Sequence, residues 1–515
     1  MSNNIFANAA STVATMTITE NGHSVASTTG SALLDLYSQV GALRDADKER
    51  IFSLFDKAVK EDKLLAAKIL FYARDARGGT GERELFRMLA KYAAEKYPDI
   101  LTENLELIPE FGRWDDLYAL VGTPLEKKAF RVMYDQLMKD IMAMDRKEPI
   151  SLLAKWLKSC NTSSEESRRL GQKTWRALGF ANEKFYRRTL TELRNYIRIV
   201  EAQMSKGNWS EIEYDKVPSR AGMIYRKAFK KHDEERYADY ISSVKKGEKK
   251  INAAMNTPHD LVHAYVGEEI GRFAYGYDHI EEDPTIEVMW KNLPDFVKTG
   301  ENILCMVDVS GSMYGRPIEV STGLGMYFAQ HNRGAFHNLF MTFESRPSFV
   351  KLNDDASFLD NLRTTFKAAW GGSTDLNRAC KELLLFAQQH KVPQADMPTR
   401  LIIISDMEID EATRVYSRYT MLRSNANCLS DILHVDELSQ MYAKAGYKMP
   451  QVIYWNVQSR HNHFHTRSDV PGTMLASGSS PAVFEAVLAM KDLDITPYVA
   501  MLEVLNSKRY ESITV

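Results

Sequence analysis

Two short apolar runs in the second half of this chain each end in an aspartate. Residues 303–307 run into Asp308, and residues 401–404 run through Ser405 into Asp406. An unbroken apolar run of this length is what a strand buried on both faces requires, and such strands belong to parallel sheets covered by helices. The carboxyl ends of those strands are where open α/β sheets hold their ligands. Further runs at residues 339–343 and 452–457 alternate with helical patterns at 318–331, 376–390 and 481–490. Residues 474–481 read as a late strand, a small-residue turn and a helix opened by proline. This alternation predicts a doubly wound, mostly parallel sheet over residues 300–515.

Asp308, Ser310 and Ser312 form a D-x-S-x-S loop, and alternate residues of a tight loop point the same way. A Gly-rich turn at residues 370–375, W-G-G-S-T-D, delivers Thr374 just before a helical stretch. Hard oxygen donors of this kind suit Mg²⁺, Mn²⁺ or Ca²⁺ rather than zinc. Taken singly, Asp and Ser at these places also read as ordinary helix caps. Taken together, D-x-S-x-S, then Thr, then Asp at strand ends resembles the metal-ion-dependent adhesion site of von Willebrand factor A domains. The resemblance implies that Asp308, Ser310, Ser312, Thr374 and Asp406 surround one divalent cation, Mg²⁺ before Mn²⁺ or Ca²⁺. It also implies an open vertex for an acidic side chain of a protein partner. Glu408 and Asp410 read as surface or capping acids beside that site.

The first half has a different period. From residue 31 to 294 apolar residues recur at three- and four-residue spacing, with breaks at Pro98, Pro109, Pro124 and Pro149 and no alternating run. Many short helices and no sheet predict an α-solenoid or ring of HEAT type, although no fixed-period repeat is visible. The helical pattern dissolves between residues 282 and 300. The expected organisation is a flexible tail (1–30), a helical module (31–295) and an α/β domain (300–515). The first 30 residues are rich in Ser, Thr, Asn and Ala and lack the basic and apolar parts of a signal peptide. No apolar run approaches a membrane span. Cys160, Cys305, Cys380 and Cys428 lack C-x-x-C spacing, which fits reduced thiols in a cytosol-like compartment; the expected location is cytoplasmic.

Charge is near balance overall, at −2, but unevenly spread. Residues 151–252 carry 23 Lys/Arg against 13 Asp/Glu, a balance of +10 that points to a polyanionic partner. Arg168, Arg169, Lys173 and Arg176 fall at helix spacing, as do Arg187, Arg188, Arg194 and Arg198; Arg226, Lys227, Lys230 and Lys231 form a third cluster. Tyr186, Tyr196, Tyr225 and Tyr237 interleave with them and read either as core residues or as platforms for unpaired bases.

Two segments of the helical half are sharper than their surroundings: R-D-A-R-G-G-T-G-E-R at residues 74–83 and G-R-W-D-D-L at 112–117. Each is a helix break followed by a new helix, with Thr80 a candidate cap, and the first lacks the G-x-x-x-x-G-K-[ST] of a phosphate-binding loop. Together with the all-helical first half and the adhesion-like second half, they are similar to the TROVE module of Ro-type ribonucleoproteins. Closer still is an uncharacterised TROVE-like family sharing W-x-x-I-x-Y-x-x-V-P-S and H-D-x-x-R-Y, which stand here at residues 209–219 and 232–237. The resemblance implies a HEAT-repeat ring joined to a von Willebrand A domain. It also implies binding of RNA, as single-stranded ends or small structured RNAs.

An enzyme reading rests on His461, Asn462, His463, Phe464 and His465, the densest imidazole cluster. No H-E-x-x-H helix, spaced nuclease motif or Ser–His–Asp arrangement accompanies it. The expected function is therefore a non-catalytic RNA-binding scaffold or RNA quality-control factor. A metal-dependent protein-interaction module is the alternative, and a metal-dependent nuclease stands behind both.

Overall fold

The computed structural model describes residues 16–20, 24–267, 280–297, 302–343, 348–367, 376–408 and 434–515. The described part of the segment expected to be a flexible tail holds two strands, β1 (Met16–Ile18) and β2 (Ser24–Ala26), paired antiparallel. Ala26 also exchanges both backbone hydrogen bonds with Phe464, at 3.1 and 3.0 Å. Thr29 is fully buried, and its N–H (2.6 Å) and hydroxyl (2.7 Å) both donate to Asp35 Oδ1. Residues 16–20 and 24–30 are thus tied down by backbone pairing and buried hydrogen bonds. Ser31 then caps α1 (Ala32–Tyr37), accepting from Leu34 N and donating to Glu61 Oε1 at 2.7 Å on α2 (Lys48–Glu61).

The chain forms two compact units that interleave in sequence. One comprises Asp62–Met255 with Lys508–Val515, the other Met1–Glu61 with Asn256–Ser507. Helices on either side of the helical module, α1 and α2 and those near residues 258–291, belong with the sheet rather than with the other helices. The reason is packing: Gly41, after α1, lies so near the Ser477 carbonyl that a Cβ would stand 2.5 Å from it.

The helical unit contains α3 (Lys63–Arg74), α4 (Arg83–Lys96), α5 (Glu126–Asp145), α6 (Glu165–Ala177), α7 (Glu183–Tyr196), α8 (Ser219–His232) and α9 (Glu234–Lys245), with shorter helical turns between them. Asp62 caps α3 through Leu65 N at 2.7 Å. The two motifs meet here through charge. Asp116 is fully buried and accepts from Arg74 Nε (2.7 Å), Arg87 Nε (2.7 Å) and Arg113 N (2.9 Å). Asp75, also fully buried, accepts from Arg509 Nη2 (2.5 Å), Tyr510 Oη (3.0 Å) and Arg77 N (2.9 Å). Gly79 has no room for a side chain, because a Cβ would overlap the Tyr72 carbonyl. Thr80 does not cap α4; its hydroxyl donates to Ala73 O at 3.0 Å, and Glu82 stands at the N-cap but its side chain makes no capping hydrogen bond to the helix.

In the other unit, α10 (Pro258–Val266) and α11 (Pro284–Lys291) precede β3 (Ile303–Asp308) and α12 (Arg316–His331). Then come β4 (Leu339–Phe343), β5 (Ser348–Lys351), α13 (Phe358–Lys367), α14 (Leu376–Gln389) and β6 (Arg400–Ser405). The remainder is α15 (His434–Lys444), β7 (Gln451–Asn456), β8 (Thr473–Ser477), α16 (Ala482–Ala489) and α17 (Pro497–Leu505). The six-stranded sheet runs β5-β4-β3-β6-β7-β8, parallel except for β5 against β4. β3, β6 and β7 are buried at every position, as their unbroken apolar runs predict. Leu304, Met306, Leu401, Ile403, Val452 and Tyr454 pack with Ala379, Cys380 and Leu383 in one core cluster. Trp455 stacks on Phe484, ring centroids 3.7 Å apart. Cys160, Cys305 and Cys380 are buried free thiols, and Cys428 lies outside the described residues. Among the described residues no helix is long and apolar enough to cross a membrane.

Candidate functional site

The strand order reverses between β3 and β6, which places a crevice at their carboxyl ends. Register pairs Val307 with Ile404, so Asp308 comes level with Ser405 and Asp406 follows one residue beyond. Asp308 is fully buried; its Oδ2 accepts from Ser405 Oγ at 2.6 Å and its Oδ1 from Ser310 N at 2.9 Å. The Ser310 and Ser312 hydroxyls lie 3.0 Å apart. Asp406 is 1% exposed; Oδ1 accepts from Glu408 N at 3.1 Å, while Oδ2 is buried without a hydrogen bond. Burial pushes the Asp308 carboxyl up to about 7, and the neighbouring Asp406 charge adds to it. Burial likewise raises Asp406, opposed by Glu408 N–H, the Ser312 hydroxyl and the Arg460 charge.

Four of the five residues expected to hold a cation are thus brought together at one sheet edge. Thr374 and its Gly-rich turn lie outside the described residues, as does Asp410. Two buried carboxylates beside two hydroxyls form a hard oxygen donor set, and an orphaned carboxylate oxygen is what a cation would satisfy. Among the described residues no group of three or more His, Cys, Asp or Glu side chains is placed to hold a metal ion. The donors here are an acid pair with hydroxyls. What the chain's apolar pattern could not reveal is Arg460, after β7: Nη2 donates to the Ser312 carbonyl and lies 3.6 Å from Asp406 Oδ2.

Arg460 belongs to the histidine-rich loop, and Arg50 on α2 holds that loop in shape. The Arg50 guanidinium donates to the carbonyls of Ser459 (2.8 Å), Arg460 (2.9 Å) and His461 (2.7 Å) and to Asn462 Oδ1 (3.1 Å). His461 Nε2 is 2.9 Å from Glu20 Oε1, His463 Nδ1 is 2.8 Å from Glu408 Oε1, and His465 Nε2 is 2.9 Å from Met407 O. Glu408, expected at the surface, is 2% exposed and also accepts from Glu20 N at 3.0 Å. Burial pushes its carboxyl up, but the His463 hydrogen bond and charge hold it below its ordinary value.

The basic residues of the helical unit divide by what they touch. Arg194 is turned inward, donating to the carbonyls of Ala154 (2.8 Å) and Leu157 (2.7 Å) and to Ser159 Oγ (3.0 Å). Arg168 folds onto the carbonyls of Thr162 and Ser163, both at 2.8 Å, and Arg226 onto Met223 O at 2.7 Å. Lys173 pairs with Glu126 (2.6 Å), Arg188 with Glu192 (2.8 Å), Arg198 with Glu213 (3.0 Å), and Arg187 loosely with Glu183 (3.9 Å). Exposed pairs of this kind leave most of a cation's attraction for a polyanion intact. Arg169 and Arg176 are exposed on α6. Lys227, Lys230 and Lys231 are exposed on α8 with no ion pair among the described residues. Of the four tyrosines, Tyr186 and Tyr237 are buried in the core, Tyr196 is at the surface and Tyr225 is half-buried. Sequence reading passed over Phe185, which is 60% exposed on α7 beside Arg187 and Arg188.

Comparison with known proteins adds four findings. A domain of unknown function, DUF7788, matches residues 302–509. An uncharacterised protein, L728, of Acanthamoeba polyphaga mimivirus is 27% identical over 539 residues, covering 96% of this chain and 88% of that protein. The Ro (RSR) protein of Deinococcus radiodurans, a solved structure, is similar at a TM-score of 0.39 and 13% identity, with 84% of this chain and 92% of that chain covered. A second domain of unknown function, DUF2828, matches residues 19–148 and 151–301, more than half of the sequence, and the chain belongs to the DUF2828 family.

Proposed function

We propose that this chain is a non-catalytic RNA-binding scaffold that holds single-stranded RNA on its helical unit. The observation that carries the reading is segregation of charge between the two compact units. The helical unit has 40 Lys/Arg against 30 Asp/Glu, a balance of +10, while the other unit has 26 against 38, a balance of −12. A polyanion is drawn to the first and repelled by the second, and phosphate contacts supply most of such affinity. Phe185, exposed on the helix that carries Arg187 and Arg188, adds a face on which a base can stack. The resemblance of the 74–83 and 112–117 motifs to TROVE modules supports the same reading.

The test is fluorescence anisotropy with a labelled single-stranded oligoribonucleotide. Reversing Arg187 and Arg188 to Glu is expected to weaken binding by roughly 1–3 kcal/mol and to flatten its salt dependence. Unchanged affinity at low salt removes α7 from the interface. Labelled RNA incubated with Mg²⁺ or Mn²⁺ is expected to remain intact, and cleavage that disappears in a triple His461→Ala, His463→Ala, His465→Ala variant would establish a nuclease instead.

A second reading concerns the other unit: a divalent cation held by Asp308, Ser310, Ser312 and Asp406, and available to an acidic side chain of a partner. The buried, unbonded Asp406 Oδ2 favours it. Calorimetric titration with Mg²⁺ and Mn²⁺ is expected to show moderate, exchangeable binding that Asp308→Ala abolishes.

A further inference from the structure

The motifs at residues 209–219 and 232–237 meet in the helical unit, and one of their contacts faces water. Trp209, in a short helical turn (Trp209–Glu211), lies flat against His232, the last residue of α8. Their ring centroids are 4.5 Å apart and their planes 9° from parallel. Next to them Tyr214, Phe229, Tyr237 and Tyr240 form a buried aromatic cluster, and Phe229 meets Trp209 edge to face at 6.5 Å. Exposure rises along the series: Phe229 is buried, Trp209 half-buried and His232 exposed.

One ion pair holds both rings of the stack. Asp233 Oδ2 accepts from Arg236 Nε at 2.9 Å and from Tyr214 Oη at 2.6 Å, and Asp233 N donates to Phe229 O at 2.9 Å, which fixes the last turn of α8. Arg236 also donates to the carbonyls of Trp209 (2.5 Å) and Ile212 (2.8 Å), which fixes the turn carrying the indole. Rings set in place beforehand can receive a further planar group with little ordering cost. Among the described residues the His232 imidazole has no hydrogen-bond partner. A core already closed by four aromatic rings gains little from a fifth that faces water.

α8 itself carries five Lys/Arg and no Asp or Glu. Arg220, Ile224, Lys227 and Lys231 are exposed and recur at spacings of four, three and four, so they share one face. At a rise of 1.5 Å per residue that stripe runs about 16 Å, and it ends one residue before His232. Lys227, Lys230 and Lys231 have no ion pair among the described residues. Of the acids nearest in sequence to the two rings, Asp233 is paired with Arg236, and Glu211 accepts from Asn208 Nδ2 at 3.4 Å. Glu234 and Glu235 open α9, where the helix N-terminus favours them. Ammonium groups along a line, ending at a flat exposed ring, suit a single strand, whose phosphates repeat and whose unpaired bases offer their faces. A duplex keeps its bases stacked on one another.

We propose that a single RNA strand lies along the exposed face of α8, its phosphates on Lys227, Lys230 and Lys231, with one unpaired base stacked on His232 as the third ring of the Trp209–His232 pair. The placement rests on RNA binding by the helical unit and is distinct from contact with α7.

The experiment is fluorescence anisotropy on the full chain with two probes: a short labelled oligoadenylate and a base-free ribose-phosphate oligomer of the same length. His232→Ala, at an exposed position, is expected to weaken oligoadenylate binding about tenfold while leaving its salt slope and the affinity for the base-free probe unchanged. His232→Phe, which keeps a planar ring without the imidazole nitrogens, is expected to restore binding, melting curves confirming both folds. Lys227→Gln with Lys231→Gln is expected to weaken both probes and to flatten the salt dependence. Unchanged oligoadenylate affinity in His232→Ala overturns the placement and leaves RNA binding by the unit standing. So does a loss that the base-free probe shares or that His232→Phe does not restore, or a salt slope that the double lysine variant leaves unaltered. Failure of the wild-type chain to bind either probe at low salt overturns RNA binding by the helical unit and this placement with it.

Discussion

Changing Asp116 to Ala removes one side chain and strands several others. Its carboxylate accepts three charge-assisted or backbone hydrogen bonds, from Arg74, Arg87 and Arg113, at 2.7, 2.7 and 2.9 Å. Arg87 retains Asp115, 2.8 Å from its Nη2, but Arg74 is 5% exposed and has its Nε aimed at Asp116. Removing one partner of a buried pair costs about 3–5 kcal/mol, because the remaining charge stays desolvated. Asp116→Asn keeps the volume and part of the hydrogen bonding, so it is expected to cost less, about 2 kcal/mol. Replacing both partners, Arg74→Met with Asp116→Leu, removes the stranded charge and is expected to recover most of the loss. Hydrogen exchange followed by mass spectrometry reads the result locally, in peptides from α3 and α4, without assuming that both units unfold together. A loss below about 1 kcal/mol for Asp116→Ala would refute the argument that these motifs bind the helical unit together through buried charge. An unchanged exchange pattern with weakened RNA binding would make the motifs an RNA contact instead.

Three further outcomes follow from the same geometry. Reversing Lys227, Lys230 and Lys231 to Glu is expected to lower the slope of log affinity against log salt by about 2, at roughly 0.7 per single-strand phosphate contact, and an unaltered slope places α8 outside the interface. In EDTA, the raised Asp308 carboxyl contributes stability while protonated, so unfolding free energy is expected to fall as pH rises from 3.8, its ordinary value, through about 7. Asp308→Asn is expected to flatten that fall, and a slope common to both proteins would show that Asp308 is not its source. Arg50→Ala is expected to speed amide exchange in residues 458–463 while sparing the sheet, since five of its acceptors lie in that loop; unchanged exchange there would show that the loop holds itself.

What could be seen in the sequence depended on how each element is buried. β3, β6 and β7 were legible because a strand covered on both faces is apolar along its middle, β4 because its run is short and mostly apolar, and Asp308 and Asp406 because they interrupt such runs at their ends. β5, Ser-Phe-Val-Lys at an edge, and the three-residue β1 and β2 leave no run long enough to read. The helical period around residues 31–61 and 256–291 was visible, but period does not say which partner a helix buries its face against. The excess of positive charge was countable, yet nothing in a count distinguishes Arg194, which folds onto carbonyls, from Arg169, which faces water. Arg460 is the clearest loss. It stands in a polar loop well over a hundred residues from Ser312, and only the fold brings it to the Ser312 carbonyl.

Arg460 also bears on the proposed cation site. Its guanidinium offers one positive charge to a space shared by Asp308 and Asp406, while Glu408 is matched by His463. Burial, with the neighbouring Asp406 charge, raises the Asp308 carboxyl to about 7, and Asp406 keeps an oxygen without a hydrogen bond although Arg460 is 3.6 Å away. Two buried aspartates beside one guanidinium leave room for a further positive charge, a proton or a cation. A divalent ion, bound through oxygen donors and water, would relieve both carboxylates at once without requiring Arg460 to leave. If the proposed ion is held by this pair, competition with the proton is expected to make affinity for Mg²⁺ rise with pH up to about 7, and a pH-independent affinity would mark an ion adsorbed at the surface instead.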